Sequence, residues 1–128
     1  FGKKDYQQLK LIEDFVKKNK INVNVVGCKT VREKNGMPLS SRNLLLSHKE
    51  KRIASKVYKL IKKEKRILLK NKQFIKTIKR QIYKLGAKKI EYIKILDVNK
   101  IIKPFKKNKN TRIFISYYLR SVRLIDNI

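Results

Sequence analysis

Two short stretches carry residue types suited to one kind of chemistry: Phe-Gly-Lys-Lys-Asp-Tyr-Gln-Gln at residues 1 to 8, and Leu-Ser-Ser-Arg-Asn at 39 to 43. In the first, a glycine stands beside lysines and then an aspartate that can start a helix. Backbone N–H groups, an ammonium and a helix N-terminus can therefore all face phosphate. The second sets two hydroxyls and a guanidinium side by side, which suits the oxygens of a polyphosphate. Together they read as two walls of an ATP site. Each stretch also has a plainer use: Asp5 and Gln8 would cap a helix in any protein, and Ser40, Ser41 and Arg42 would serve as polar turn residues.

The surrounding pattern says what positions them. From Asp5 to Lys18 the apolar residues Leu9, Leu11, Ile12, Phe15 and Val16 follow the spacing of one helix face, with Asp5 and Gln8 placed as a capping box. Ile21 to Val26 alternates and ends in a short apolar run, which predicts a strand buried on at least one face, and Gly27 permits a sharp exit. A helix followed by such a strand is the tail of a parallel α/β layer whose other strands must come from elsewhere. Residues 29 to 43 read as loop, with Asn35-Gly36 as a turn and Pro38 after it, and the domain boundary falls here. Ser47-His48-Lys49-Glu50 is a capping box in front of a helix running to about Leu69, with Ile53, Val57, Leu60 and Ile61 on one face. His48 is thereby a surface residue at a helix start. A further helix spans Lys72 to Leu85 and stops at Gly86. Strands follow at Ile90 to Leu96, Arg112 to Tyr118 and Ser121 to Ile125. A turn at Asp97 to Asn99, a short apolar piece at Ile101-Ile102 and a solvated loop from Lys103 to Asn110 lie between the first two. Two helices and then three strands predict a small α+β unit with an antiparallel sheet covered on one face. Tyr92, Tyr117 and Tyr118 are core or sheet-face residues in this scheme, and Arg123 with Asp126 form a structural pair.

Composition bounds the rest. A chain of 128 residues accommodates one domain with a real core, or a small domain carrying a piece of another. With 41% hydrophobic and 35% charged residues it belongs among folded proteins, and no apolar run reaches bilayer length. No charged-then-apolar leader is seen, and a first residue that is Phe1 implies an N-terminus cut from something longer. The single cysteine, Cys28, has no disulfide or metal-site partner and reads as a small buried hydrophobe in a reducing cytoplasm. The formal charge of +27 would ordinarily mark a binder of nucleic acid or anionic membrane. Of the 36 basic residues, however, 28 are lysine and 8 arginine, spread from Lys3 to Arg123. Lysine, isoleucine and asparagine rise together, as AT-rich codon use produces, so neither a specific nucleic acid nor a membrane is called for. A basic nucleic-acid-binding module stands as the alternative reading.

The landmarks in order are Phe-Gly-Lys-Lys-Asp-Tyr-Gln-Gln-Leu (1 to 9), Val-Gly-Cys-Lys-Thr-Val-Arg-Glu (26 to 33), Leu-Ser-Ser-Arg-Asn with Leu46-Ser47, and Arg-Leu-Ile-Asp-Asn (123 to 127). Over essentially its whole length the chain resembles the C-terminal part of the pantothenate synthetases, the ATP-dependent pantoate-beta-alanine ligases. That resemblance implies an α/β fold. Residues 1 to 30 would end a Rossmann-like nucleotidyltransferase domain, and residues 31 to 128 would form a small α+β lid of two helices and a three-stranded antiparallel sheet. It implies a cytoplasmic enzyme that joins pantoate to ATP as pantoyl adenylate with release of pyrophosphate, after which beta-alanine displaces AMP to give pantothenate.

Residue by residue, the resemblance places Gly2, Lys3, Lys4 and Asp5 along ATP, with Lys4 directed at phosphate. Gln8 hydrogen-bonds pantoate, and Val31 contacts adenine through its backbone at the interdomain hinge. Leu39, Ser40, Ser41 and Arg42 form a loop on the triphosphate, the family's version of the KMSKS-type element of related nucleotidyltransferases. The catalytic burden here falls on Lys4, Ser40, Ser41 and Arg42. The family usually has glutamate at the position of Lys3 and methionine at that of Leu39. Its His-x-Gly-His motif, Mg2+ ligands and beta-alanine site belong to the preceding half, so this stretch holds no metal ligands and is expected to be inactive alone. The resemblance further implies a homodimer for the whole protein. A remnant that folds and assembles without chemistry is a third reading.

Overall fold

The computed structural model describes residues 1–98 and 111–128. The expectations for Asn99, for Ile101-Ile102 and for Lys103 to Asn110 lie outside the described residues.

Helix α1 (Tyr6–Lys18) follows a 3-10 turn at Lys3–Asp5. The capping box expected at its start does not form. Asp5 ends the 3-10 turn, with φ −93° and ψ 57° rather than the extended geometry of an N-cap, and its carboxylate makes no cap hydrogen bond. Only Leu9 of this helix is buried, while Leu11 and Phe15 are 70% and 57% exposed. Residues 21 to 26 are not a strand: no neighbouring strand offers them a ladder, and Val26 is 66% exposed. Ile21 N donates back to Val16 O at 3.0 Å, and at the far end residues 1 to 3 run parallel to 26 to 28. The Phe1 amine donates to Val26 O at 2.9 Å, Cys28 N to Phe1 O at 2.7 Å, and Lys3 N to Cys28 O at 2.8 Å. Cys28 is exposed, against the expectation of a buried thiol. Gly27 serves close approach, since a Cβ there would sit 2.9 Å from both Leu9 Cδ2 and Lys3 Cε.

The remainder folds around its own core. Helix α2 (His48–Lys70) starts where the sequence indicates: Ser47 Oγ accepts from Glu50 N at 3.3 Å, and the Glu50 carboxylate accepts from Ser47 N at 2.8 Å. A cap of this kind is worth about 1 kcal/mol. His48 lies exposed at the first position. Helix α3 (Phe74–Leu85) ends at Gly86, whose φ of 114° is the left-handed conformation that glycine adopts without strain.

Strands β1 (Lys89–Asp97), β2 (Thr111–Leu119) and β3 (Val122–Asn127) form one antiparallel sheet in the order β1-β2-β3. The register sets Ile93 opposite Ile115, Ile95 opposite Ile113 and Tyr117 opposite Leu124. These side chains share one sheet face and pack with Val57, Ile61, Leu68, Ile78 and Ile82 from α2 and α3. The other face is not bare as expected. Leu96, Val98 and Phe114 gather there with Tyr92, and Tyr6 of α1 meets Phe114 edge-on, with ring centres 6.3 Å apart. The start of α1 is thereby seated on the sheet. No helix among the described residues is long and apolar enough to cross a membrane.

Candidate functional site

The two stretches singled out in the sequence come together. Leu39 to Arg42 follow a tight loop in which Arg32 and Pro38 bridge, Leu39 N donates to Val31 O at 3.0 Å, and Gly36 turns the chain at φ 93°. A Cβ on Gly36 would run into the ring of Tyr58, so glycine is required by both conformation and space. Ser40 is the N-cap of a 3-10 turn at Ser41–Leu45, its Oγ accepting from Arg42 N at 3.3 Å. Buried Asn43 anchors the turn from below, donating to Pro38 O at 3.0 Å and to the Glu33 carboxylate at 3.3 Å. Ser41 and Arg42 are thereby held on the outside, exposed.

Lys4 approaches this loop from the 3-10 turn before α1, its Nζ donating to Leu39 O at 3.4 Å. Lys4, Ser40 and Arg42 line one small cavity of about 20 Å³, room for about one water, together with Arg123 and Asp126. The Lys4 and Arg42 cations and the Ser40 hydroxyl thus border one place. Ser41 is not in that lining, and Val31 and Leu39 are exposed beside it. On the other side of Lys4 a roomier cavity of about 160 Å³ lies between α1 and the sheet. Asp5 and Gln8 face Tyr92, Phe114 and Ile125 across it. Gly2 and Lys3 stand at the parallel bridge to Cys28, where Gly2 leaves open space at its Cα. Ammonium, guanidinium and hydroxyl groups gathered around a turn can receive negative oxygens.

The pantoate-beta-alanine ligase profile matches residues 1–128. This chain belongs to the pantoate-beta-alanine ligase family. The pantothenate synthetase of a Sulfurihydrogenibium species is 40% identical over 134 residues, covering 100% of this chain and 48% of that protein. That of Flavobacterium psychrophilum is 35% identical over 132 residues, covering 100% and 47%. Among solved structures, the Thermus thermophilus pantothenate synthetase superposes with a TM-score of 0.81 at 27% identity, over 100% of this chain and 48% of that one. A Francisella tularensis pantoate-beta-alanine ligase, complexed with beta-gamma ATP and beta-alanine, gives 0.71 at 36% identity over 99% and 41%. The chain spans about half the length of the relatives it matches. The mixed α/β fold of three helices and an antiparallel sheet corresponds to that part of the ligase.

Other residues inside the ligase landmarks hold the site together. Arg32 forks onto Asp126, with both N···O distances 2.8 Å, donates also to Gly36 O at 3.0 Å, and lies 4.4 Å from the centre of the Tyr58 ring. Burial pushes the Asp126 carboxyl above the ordinary aspartate range, opposed by the guanidinium. Burial also works against the Arg32 charge, but Asp126 more than restores it, so the guanidinium stays protonated. The expected pair of Arg123 with Asp126 does not form. Arg123 instead bonds Glu91 at 2.8 Å on the outer sheet face, and Ser116 and Tyr118 donate to the same carboxylate. The hydrogen bond from Ser116, then Arg123, hold Glu91 below the ordinary glutamate range. Among the described residues no group of three or more His, Cys, Asp or Glu could hold a metal ion. Asp126 is committed to Arg32, and Glu33 to Asn35 and Asn43.

Proposed function

We propose that this chain is the C-terminal part of an ATP-dependent ligase that condenses pantoate with beta-alanine through pantoyl adenylate, in the cytoplasm, for pantothenate and coenzyme A synthesis. Residues 1 to 30 finish the Rossmann-like nucleotide-binding domain, and residues 31 to 128 are the lid. The observation that carries this reading is the convergence of Lys4, Ser40 and Arg42 on one cavity in a chain of this family. The exposed apolar side chains of Leu11, Phe15, Val23 and Val26 support the division, since a continuing α/β layer would cover them.

In the first step a carboxylate oxygen of pantoate attacks the α-phosphorus of ATP, the bond to the bridging oxygen breaks, and pyrophosphate leaves with the electron pair. Charge rises on oxygens of the five-coordinate phosphorus and on the departing pyrophosphate. The Lys4 ammonium, the Arg42 guanidinium and the Ser40 and Ser41 hydroxyls receive it. Gly2, Lys3 and Asp5 line the nucleotide on the same side. Val31 meets adenine with its backbone, Leu39 flanks the triphosphate, and Gln8 holds pantoate from the roomier cavity. In the second step the beta-alanine amine attacks the acyl carbon, AMP departs, and the amine loses a proton. Magnesium bound by the preceding half of the enzyme would neutralise part of the triphosphate charge.

The test follows AMP release from pantoate, beta-alanine and ATP. The natural full-length enzyme is expected to turn over and these 128 residues alone to be inactive. Absence of pantoate-dependent AMP release in the full-length enzyme would overturn the assignment, and turnover by the 128 residues would show the preceding half to be dispensable.

A further inference from the structure

The two walls of the site are joined by neither a helix nor a strand of their own. Lys4 stands on a 3-10 turn of only three residues, Lys3–Asp5, whose bond from Asp5 N to Gly2 O is long at 3.2 Å. A segment that short cannot fix a side chain by its own ladder, so its placement is imposed from outside.

One tie is the bond from Lys3 N to Cys28 O; the other is Asn127, the last residue of β3 and 2% exposed. Its amide nitrogen donates to both Lys3 O at 2.7 Å and Lys4 O at 2.9 Å, and its amide oxygen accepts from Arg112 Nη1 at 3.0 Å. Both protons and the oxygen are used, so the amide has one orientation; the flipped form would set its oxygen against two carbonyl oxygens. Fixing the carbonyls on either side of the Lys4 Cα fixes the peptide planes from which the Lys4 side chain departs. The preceding residue, Asp126, is held by Arg32, whose two terminal nitrogens also donate to Gly36 O at 3.0 Å and Asn127 O at 3.3 Å. Two consecutive residues of one strand therefore set the ammonium wall and the hydroxyl-guanidinium wall in register.

We propose that Asn127 is a positioning residue for the adenylation step, acting through the Lys3 and Lys4 backbone to place the Lys4 ammonium against the Ser40 to Arg42 loop. The proposal rests on the reading of Lys4 as a phosphate ligand. It assigns Asn127 no contact with substrate. Its consequence is selective: loss of the amide displaces Lys4 during attack on the α-phosphorus and leaves the later attack by beta-alanine on the acyl carbon untouched.

The experiment uses the natural full-length enzyme and measures pantoate-dependent exchange of pyrophosphate into ATP for Lys4→Ala, Asn127→Ala and the double variant, together with the KM for beta-alanine. Asn127→Ala is expected to slow exchange about tenfold to hundredfold, the range that a displacement of about 1 Å produces. The KM for beta-alanine should hold, and in the Lys4→Ala background the same change should cost less than about threefold, because two residues acting as one unit are not additive. Equal losses in both backgrounds, or no loss in the single variant, would overturn the positioning role while leaving Lys4 in place. An unchanged rate for Lys4→Ala itself would remove Lys4 from phosphate binding and the positioning role with it. If Asn127→Ala does not yield folded enzyme, Arg112→Ala decides by the same cycle. It deletes the bond that orients the amide together with the guanidinium's contact on the Tyr6 ring, 5.6 Å from its centre, and a loss of a few-fold that vanishes beside Lys4→Ala is expected.

Discussion

Helices α1 and α2 carry the same kind of apolar stripe, yet α2 buries Val57, Ile61 and Leu68 whereas α1 buries Leu9 and leaves Leu11 and Phe15 in solvent. The difference is one of partners. The stripe of α2 meets α3 and a sheet supplied by the same chain, whereas α1 and residues 21 to 26 find, among the described residues, the N-terminal residues 1 to 3 and one face of that sheet. Periodicity states that a face will be covered and is silent on what covers it. The candidate site sits on the border between these regions, with Lys4 contributed by one and Ser40 and Arg42 by the other.

The contrast can be broken most forcefully at its two extremes. In the 128-residue chain, Ile61→Ala should lower unfolding stability in denaturant by about 2 to 5 kcal/mol, whereas Leu11→Ala should change it by under about 0.5 kcal/mol. A comparable cost at Leu11 would mean that α1 buries its stripe after all. Next comes the joint between the regions. Asp126→Ala leaves the Arg32 guanidinium largely buried without its carboxylate and should cost about 3 kcal/mol. Asp14→Ala removes an exposed i, i+4 pair with Lys10 on α1 and should cost under about 0.5 kcal/mol.

Much of the folded core was legible beforehand. The Ser47 to Glu50 box, the Gly86 stop and the β-alternation after it placed α2, α3 and the strands because each signal is local and was satisfied by local partners. Of the residues singled out for phosphate, Lys4, Ser40 and Arg42 line one cavity and Ser41 does not. What failed needed information from far along the chain. Arg123 and Asp126 are three apart on a strand and so point to opposite faces, where one meets Glu91 and the other Arg32, 94 residues away. Asp5 could not act as a cap once a 3-10 turn ran directly into α1. Asn127 was visible only as the end of a motif, and its two bonds to Lys3 and Lys4 belong to tertiary structure alone.

The smallest expected effect is a dependence on pH. Glu91, through Ser116 and then Arg123, and Glu50, through Ser47, titrate below the ordinary glutamate value. The stability they add is therefore fully present above that value and lost as pH falls through the lowered ones. Between about pH 5 and pH 3 the melting temperature of Glu91→Gln should fall less steeply than that of the unaltered chain. Parallel slopes would mean that the Glu91 network contributes nothing.

The claim that one phosphate site spans the border is tested most directly by Arg42→Ala in the natural full-length enzyme, with pantoate-dependent exchange of pyrophosphate into ATP as the readout. Removing a preorganised donor of this kind is expected to slow exchange by about a hundredfold or more while the fold is retained, because the turn is held by Ser40 and Asn43 rather than by the guanidinium. Exchange at the unaltered rate would contradict the account.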